Sequence, residues 1–225
     1  MDLLQAVKER HSVRQYINLP IETEKTTRLK QLIDECNRDG NLNFQLVLNE
    51  PKAFDGFMAR YGKFSGVENY VALVGKKSVD AEETIGYFGA KFILLAQTLG
   101  LNTCWVALTY KKIKTAFTLG KGEKLFGLIA FGYGKTQGVP HKSKSLEKVC
   151  AVKSHETPEW FINGVKTALL APTAMNQQKF YFTLNEDNSV SAKSKGGFYT
   201  KTDLGIAEYF FELGSGKNCR AIKES

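Results

Sequence analysis

Residues 81–99 constrain this chain most. Ile85, Phe88, Phe92, Leu95, Ala96 and Leu99 recur at helical spacing, and Ile93 and Leu94 add apolar surface on other sides. A helix that is apolar nearly all round belongs at the centre of a fold, not on its surface. Gly100 ends it. The chain has 225 residues, 43% hydrophobic and 24% charged, enough to bury such a helix in one large domain or two small fused ones.

The flanking pattern mixes helices and strands without strict alternation. Asp2 caps a first helix that carries Leu3, Leu4 and Val7 and ends near Arg10. Residues 21–37 read as a helix stopped by Asp39-Gly40, and 44–48 and 70–74 read as strands. After the central helix, 103–108 and 125–132 are strands, followed by a basic loop over 134–145. Thr157 caps a further helix with Pro158 in its first turn, which must stop by Ala171 because Pro172 disfavours helix at the residue before it. Strands 179–184 and 189–193 and an apolar helix over 203–213 complete the order. The tail after Gly214 is polar. This order favours α+β over a doubly wound sheet. Ile85-Gly86-Tyr87-Phe88 is echoed by Asp203-Leu204-Gly205-Ile206, a weak internal repeat.

Composition narrows the function. The net charge of +8 is compatible with nucleic acid, a membrane surface or a small anion as partner. Its Lys and Arg residues are scattered, and no RNA-recognition or zinc-finger signature is present. The longest apolar run, 85–101, is broken by Lys91 and Gln97, so no membrane span is expected. Lys8, Glu9 and Arg10 follow too short an apolar start for a secretory leader. Cys36, Cys104, Cys150 and Cys219 form no C-x-x-C pair, and a cytoplasmic protein with reduced thiols is the expectation.

Several motifs fail on inspection. Gly216-Lys217 has Phe211 where a phosphate loop needs glycine and Asn218 where it needs Ser or Thr. Gly132-Tyr133-Gly134-Lys135-Thr136-Gln137-Gly138 has the wrong spacing for a dinucleotide fingerprint. His11, His141 and His155 lack partners at metal-ligand spacing, and no Gly-x-Ser-x-Gly elbow exists.

Arg10-His11-Ser12-Val13-Arg14 carries the first positive signal. Two Arg side chains four apart can converge from a turn onto a dianion, and forked, charge-assisted hydrogen bonds suit phosphate oxygens. The segment resembles the Arg-x-Ser-x-Arg stretch of the FMN-dependent nitroreductase family, which grips the flavin phosphate. Ala171-Pro172-Thr173-Ala174-Met175-Asn176-Gln177-Gln178 resembles that family's Ala-Pro-Ser-x-x-Asn-x-Gln segment under the flavin ring. Gly100-Leu101-Asn102-Thr103-Cys104-Trp105-Val106-Ala107-Leu108 is similar to its Gly-Leu-Gly-Thr-Cys-Trp-Ile-Gly run, whose backbone amides face the flavin. Gly132-Tyr133-Gly134 followed by Lys142 and Lys144 matches a strand end and two basic residues that complete the phosphate site.

The resemblance implies a nitroreductase-like α+β fold, with an antiparallel or mixed sheet packed by helices around the central one. It implies FMN held by Arg10, His11, Ser12, Arg14, Trp105, Val106, Ala107, Leu108, Lys142, Lys144, Pro172, Thr173, Ala174, Asn176 and Gln178. No catalytic side chain or metal is implied, because the flavin carries the chemistry. NADH or NADPH is the implied electron donor, and a small electron-poor molecule such as a nitroaromatic or quinone the acceptor. Tyr61, Lys63, Phe64, Phe198 and Tyr199 are further candidates for the pocket.

The order of the motifs departs from the family. The ring segment ordinarily follows the Arg-x-Ser-x-Arg segment within a few dozen residues, and there this chain has Cys36-Asn37-Arg38-Asp39-Gly40-Asn41-Leu42-Asn43. The intact version lies at 171–178, after a helix with no Arg-x-Ser-x-Arg of its own. A fused, reduced pseudo-dimer is the simplest account, with a first half at 1–150 and a shortened second half at 151–225. It makes a monomer with one flavin site; a conventional homodimer with a reordered chain is the alternative. Two rival functions stay open: a flavin-binding protein without turnover, and a basic nucleic-acid-binding module, which the motifs disfavour.

Overall fold

A computed structural model describes residues 1–151 and 157–219. Helices α1 (Leu3–Glu9) and α2 (Thr23–Gly40) precede strands β1 (Gln45–Val47) and β2 (Asn69–Lys76), with a short helix α3 (Phe57–Tyr61) between the strands. Helix α4 (Ala81–Thr98) leads into β3 (Asn102–Val106) and β4 (Glu123–Gly132). Helix α5 (Glu159–Ala168), the hairpin β5 (Phe180–Leu184) and β6 (Val190–Ser194), and helix α6 (Thr200–Ser215) follow. The main sheet is antiparallel in the order β1-β2-β4-β3, and β5 and β6 form a separate two-stranded sheet. The fold is α+β, with the central helix where its periodicity requires it.

Local chemistry explains the element ends. Asp2 caps α1 by accepting a hydrogen bond from the Gln5 N–H at 2.8 Å. Helix α2 runs through Gly40, three residues beyond the sequence expectation, and Asn41 closes it in a left-handed conformation. Pro158 is the N-cap itself, not a first-turn residue: its ψ of 143° is extended, and α5 starts at Glu159. Helix α6 begins at Thr200, three residues before the expected start. Helix α3 has no counterpart in the sequence reading, since five residues are too few to establish a period.

The main sheet is buried on both faces. On β2, Val71 and Leu73 join the cluster around α4, while Tyr70, Ala72 and Val74 face a second cluster with Phe54, Phe64 and Phe117. Strand β4 divides likewise, Ile129 and Phe131 against Leu128 and Ala130. The period of two sends alternate side chains to opposite cores, which is why these strands read as continuous apolar runs.

Helices α4 and α6 cross at a pair of glycines. A Cβ on Gly86 would lie 2.1 Å from the Thr202 carbonyl oxygen and 3.1 Å from the Ile206 nitrogen. A Cβ on Gly205 would lie 1.9 Å from the Glu83 carbonyl oxygen and 2.8 Å from the Tyr87 nitrogen. Each glycine thus meets the carbonyl three residues before the other glycine and the nitrogen one residue after it. That reciprocity is the form of an isologous, two-fold contact. One apolar cluster, containing Ile85, Phe92, Phe161, Phe182, Phe210 and Phe211, runs through the crossing.

No side chain fits between backbones this close. Gly205→Ala is therefore expected to lower stability by about 3 kcal/mol, at the upper end of overpacking costs. Chemical denaturation of the variant and the parent checks this; an unchanged midpoint would mean the helices part without cost.

Candidate functional site

A cavity of about 140 Å³ lies between the main sheet and the start of α6. Ser12 and Arg14 line one end. Cys104, Trp105, Val106 and Ala107 come from β3 and its exit, and Phe126 and Gly127 from β4. Pro172, Thr173, Ala174 and Met175 form another wall, and Tyr199, Thr202, Asp203 and Ile206 close it. Five segments widely separated in sequence meet here.

The Arg10–Arg14 segment is held by its apolar alternates. Val13 and Tyr16 are buried, and the Tyr16 hydroxyl donates to the Val13 carbonyl at 2.7 Å. The Val13 N–H donates to the Thr103 carbonyl at 3.0 Å, and Ser12 bridges Thr103 in parallel register. The segment is thereby fixed alongside β3, leaving Ser12 and Arg14 facing the cavity.

Arg10 is only 3% exposed, and its Nε has no hydrogen-bond partner. Among the described residues it makes no ion pair. Burial pulls its pKa down to about 10, partly offset by the nearby Cys104, so it remains a cation at neutral pH. A buried cation without a counter-ion costs several kcal/mol. Burial, Arg10 and His141 together hold His11 below the ordinary imidazole range, so it stays neutral beside Arg10 at neutral pH. Burial raises the Cys104 pKa, keeping it a thiol, although Arg14, Arg10 and Ser12 pull the other way. Among the described residues no carboxylate pairs with this corner. Trp105 supplies a second unpartnered donor, its Nε1.

The 172–178 segment is strained. Met175, Asn176 and Gln178 have φ values of 49°, 53° and 43°. Left-handed conformations cost about 1–3 kcal/mol each at residues other than glycine, so the surroundings must over-determine them. They do so from two sides. Asp203 accepts hydrogen bonds from the Ala174 N–H at 2.9 Å and from Gln177 Nε2 at 2.7 Å. On the other side, the buried Gln178 amide accepts from the Lys144 N–H at 2.8 Å and donates to the Lys142 carbonyl at 2.9 Å. Asn176 Nδ2 also donates to the Lys142 carbonyl, at 2.8 Å, and Lys144 Nζ donates to the Gln177 carbonyl at 2.6 Å.

The expected site residues therefore divide. Ser12, Arg14, Trp105, Val106, Ala107, Pro172, Thr173 and Ala174 line the cavity. Arg10 and His11 do not line it. Lys142, Lys144, Asn176 and Gln178 line a separate depression, where they knit the strained segment to the basic loop. Leu108 is 66% exposed and does not line the cavity. Of the further candidates, Tyr199 lines the cavity, Phe64 is core, and Tyr61, Lys63 and Phe198 are exposed. His155 lies outside the described residues.

Asp203, Met175, Phe126 and Thr202 were not singled out from sequence. For Asp203 a signal existed: an acid immediately before the apolar run Leu204 to Phe211 has little access to water. The structure leaves it 3% exposed. Burial raises its pKa from 3.8 to about 6, against the opposing pull of its Ala174 and Gln177 bonds.

The α+β fold thus brings Ser12, Arg14, Trp105 and the strained 172–175 turn around one cavity. Comparison with known proteins gives the family. The model of the family described as "Putative TM nitroreductase" matches residues 2–215, and the chain belongs to that family. The fold is similar to that of a "putative nitroreductase" from Thermotoga maritima, 20% identical over 95% of this chain and 83% of that one, with a TM-score of 0.67. A protein from Parabacteroides distasonis described as "Putative NADH dehydrogenase/NAD(P)H nitroreductase" is 21% identical over 65% of this chain and 95% of its own, with a TM-score of 0.51. A search of curated proteins found no match. Among the described residues, no helix is long and apolar enough to cross a membrane.

The raised pKa of Asp203 has a signed consequence. Between about pH 4 and 6 the folded carboxyl holds its proton while the unfolded one has released it. Its contribution to stability is thus fullest below pH 4 and is lost as pH rises towards 6, a change of about 3 kcal/mol. Asp203→Asn should lack this slope. Denaturation midpoints of both proteins from pH 4 to 7 check it, and parallel curves would count against the assignment.

Proposed function

We propose that the protein is an FMN-dependent oxidoreductase that passes hydride from NADH or NADPH to an electron-poor acceptor such as a nitroaromatic or a quinone. The observation that carries the reading is that Ser12 and Arg14 line a cavity walled by Trp105 and residues 172–175, with Arg10, buried and without an ion pair among the described residues, two positions before Ser12. A flavin phosphate supplies the counter-ion this corner lacks.

In this reading Arg10, Ser12 and Arg14 bind the phosphate, and His11, held below the ordinary imidazole range, is a neutral neighbour. Pro172, Thr173, Ala174, Trp105, Val106 and Ala107, which line the cavity, would hold the ring. Asn176, Gln178, Lys142 and Lys144 act through the backbone they hold in place. Bound FMN supplies the hydride chemistry, so no acid, base or nucleophile of the chain has to. The residues' work is to orient, to exclude water and to fix the local field.

We also infer a fused, reduced pseudo-dimer, with halves at 1–150 and 151–225, that works as a monomer in the cytoplasm. The reciprocal contacts of Gly86 and Gly205 support this: the echoed segments meet each other as the same segment of two subunits would. The four cysteines, all free and buried, fit a reducing compartment.

Four measurements test the reading. The purified protein should retain a visible flavin band through desalting, and it should oxidise NADH or NADPH when an acceptor is added. A colourless protein that cannot hold added FMN would refute the function. Arg14→Ala should weaken FMN binding at least tenfold, on the order of 1.4 kcal/mol, in a fluorescence titration. Light scattering should give the mass of one chain; a dimer whose flavin sites cross chains would end the pseudo-dimer account.

A further inference from the structure

A second basic surface adjoins the cavity. Lys77, Lys124 and Lys201 line a depression of about 580 Å³ together with Phe126 and a single carboxylate, Glu82. Phe126 also lines the cavity, so the two spaces share a wall. Lys124 Nζ sits 4.2 Å from the centre of the Phe126 ring, and its pairing with Glu82 is long, at 3.9 Å. Lys201 Nζ reaches only the Val79 carbonyl, at 3.4 Å. Three ammonium groups against one carboxylate leave this shelf positive. Lys201 directly precedes Thr202 and Asp203, which line the cavity, so the shelf adjoins it on the α6 side as well.

Strand register places the shelf far from the arginine corner. Ser12 bridges Thr103, which pairs with Phe131 on β4. Lys124 lies seven residues along the same strand, paired with Gly75. At roughly 3.3 Å per residue this is about 23 Å. One flavin carries one phosphate, and the arginine corner meets it. The shelf therefore faces a different anion, one belonging to a molecule that enters over the cavity from the Phe126 side.

We propose that Lys77, Lys124 and Lys201 bind the diphosphate of the nicotinamide dinucleotide that donates hydride, with its nicotinamide entering past Phe126. This rests on the flavin reading above and assigns the donor's own subsite. A diphosphate fits better than a lone carboxylate, because three point charges spread around a depression suit an extended dianion.

The test uses the full chain with saturating FMN and measures calorimetric binding of ADP-ribose, a dinucleotide fragment that cannot donate hydride. Lys124→Gln/Lys201→Gln keeps most of each side-chain stem and removes both charges. Lys30→Gln/Lys166→Gln, on exposed positions of α2 and α5, makes the same change in net charge elsewhere. The shelf variant should bind ADP-ribose at least tenfold more weakly than the matched control, with a shallower dependence on salt. In steady state, its preference for NADH or NADPH over phosphate-free dihydronicotinamide riboside should fall by a similar factor. Equal ADP-ribose affinity in the two variants, or no binding to the parent protein, would overturn the proposal. So would a loss of FMN affinity in the shelf variant, which would make the shelf part of the cofactor site. If the parent protein fails to retain FMN, the flavin reading falls, and the ADP-ribose comparison without FMN still judges the shelf.

Discussion

The backbone contact between α4 and α6 is the constraint on which the rest depends. Gly86 and Gly205 let two helices approach until each backbone touches the other. The crossing carries the first turn of α6 to the open edge of the main sheet. Thr202, Asp203 and Ile206 become one side of a cavity whose other side is β3 and β4. Were the helices separated by a methyl group on each side, the cavity wall would move with them. Dense packing around the crossing makes such a shift costly.

The cavity is kept open by strain held from two directions. The turn after α5 adopts left-handed conformations at Met175, Asn176 and Gln178, which local preference supports only at Asn176. Asp203 holds it from the helix side, and the 142–144 loop holds it from the other. The charges follow the same logic. Arg10 is buried without a partner, and Asp203 is buried with two neutral donors, so the two do not neutralise each other. Each is left to act on its own surroundings, one towards an anion and one towards the backbone. Buried ionic groups of this kind detract from stability, which is why they mark sites more often than cores.

Much of this was legible in the sequence because its physics is local. The burial of α4 follows from apolar residues on every side of one helical period. Strands β2 and β4 follow from short apolar runs, and Asp2 and Pro172 mark helix ends by hydrogen bonding and sterics. The arginine corner was visible as Arg10-Ser12-Arg14, since two cations four apart can converge. Errors fell where the signal was too short or the geometry non-local. Helix α3 is only five residues long. Pro158 sits one residue before its helix, because a capping residue and a first-turn proline look alike in sequence. Leu108 lies beyond the end of its strand, where alternation no longer directs a side chain.

The sequence by itself determined the α+β class, the central helix, the strand faces and the segments from which a site could be assembled. These depend on period, propensity and charge within a few residues of each other. Only the tertiary structure decided that Asn176, Gln178, Lys142 and Lys144 face one another across a separate depression, and that Asp203 reaches into the cavity. It alone brought Gly86 against Gly205 and Lys77 near Lys201. Such contacts join residues tens to more than a hundred positions apart. Their geometry is set by how closely two helices can pack and where a strained turn can be held, which no local pattern encodes.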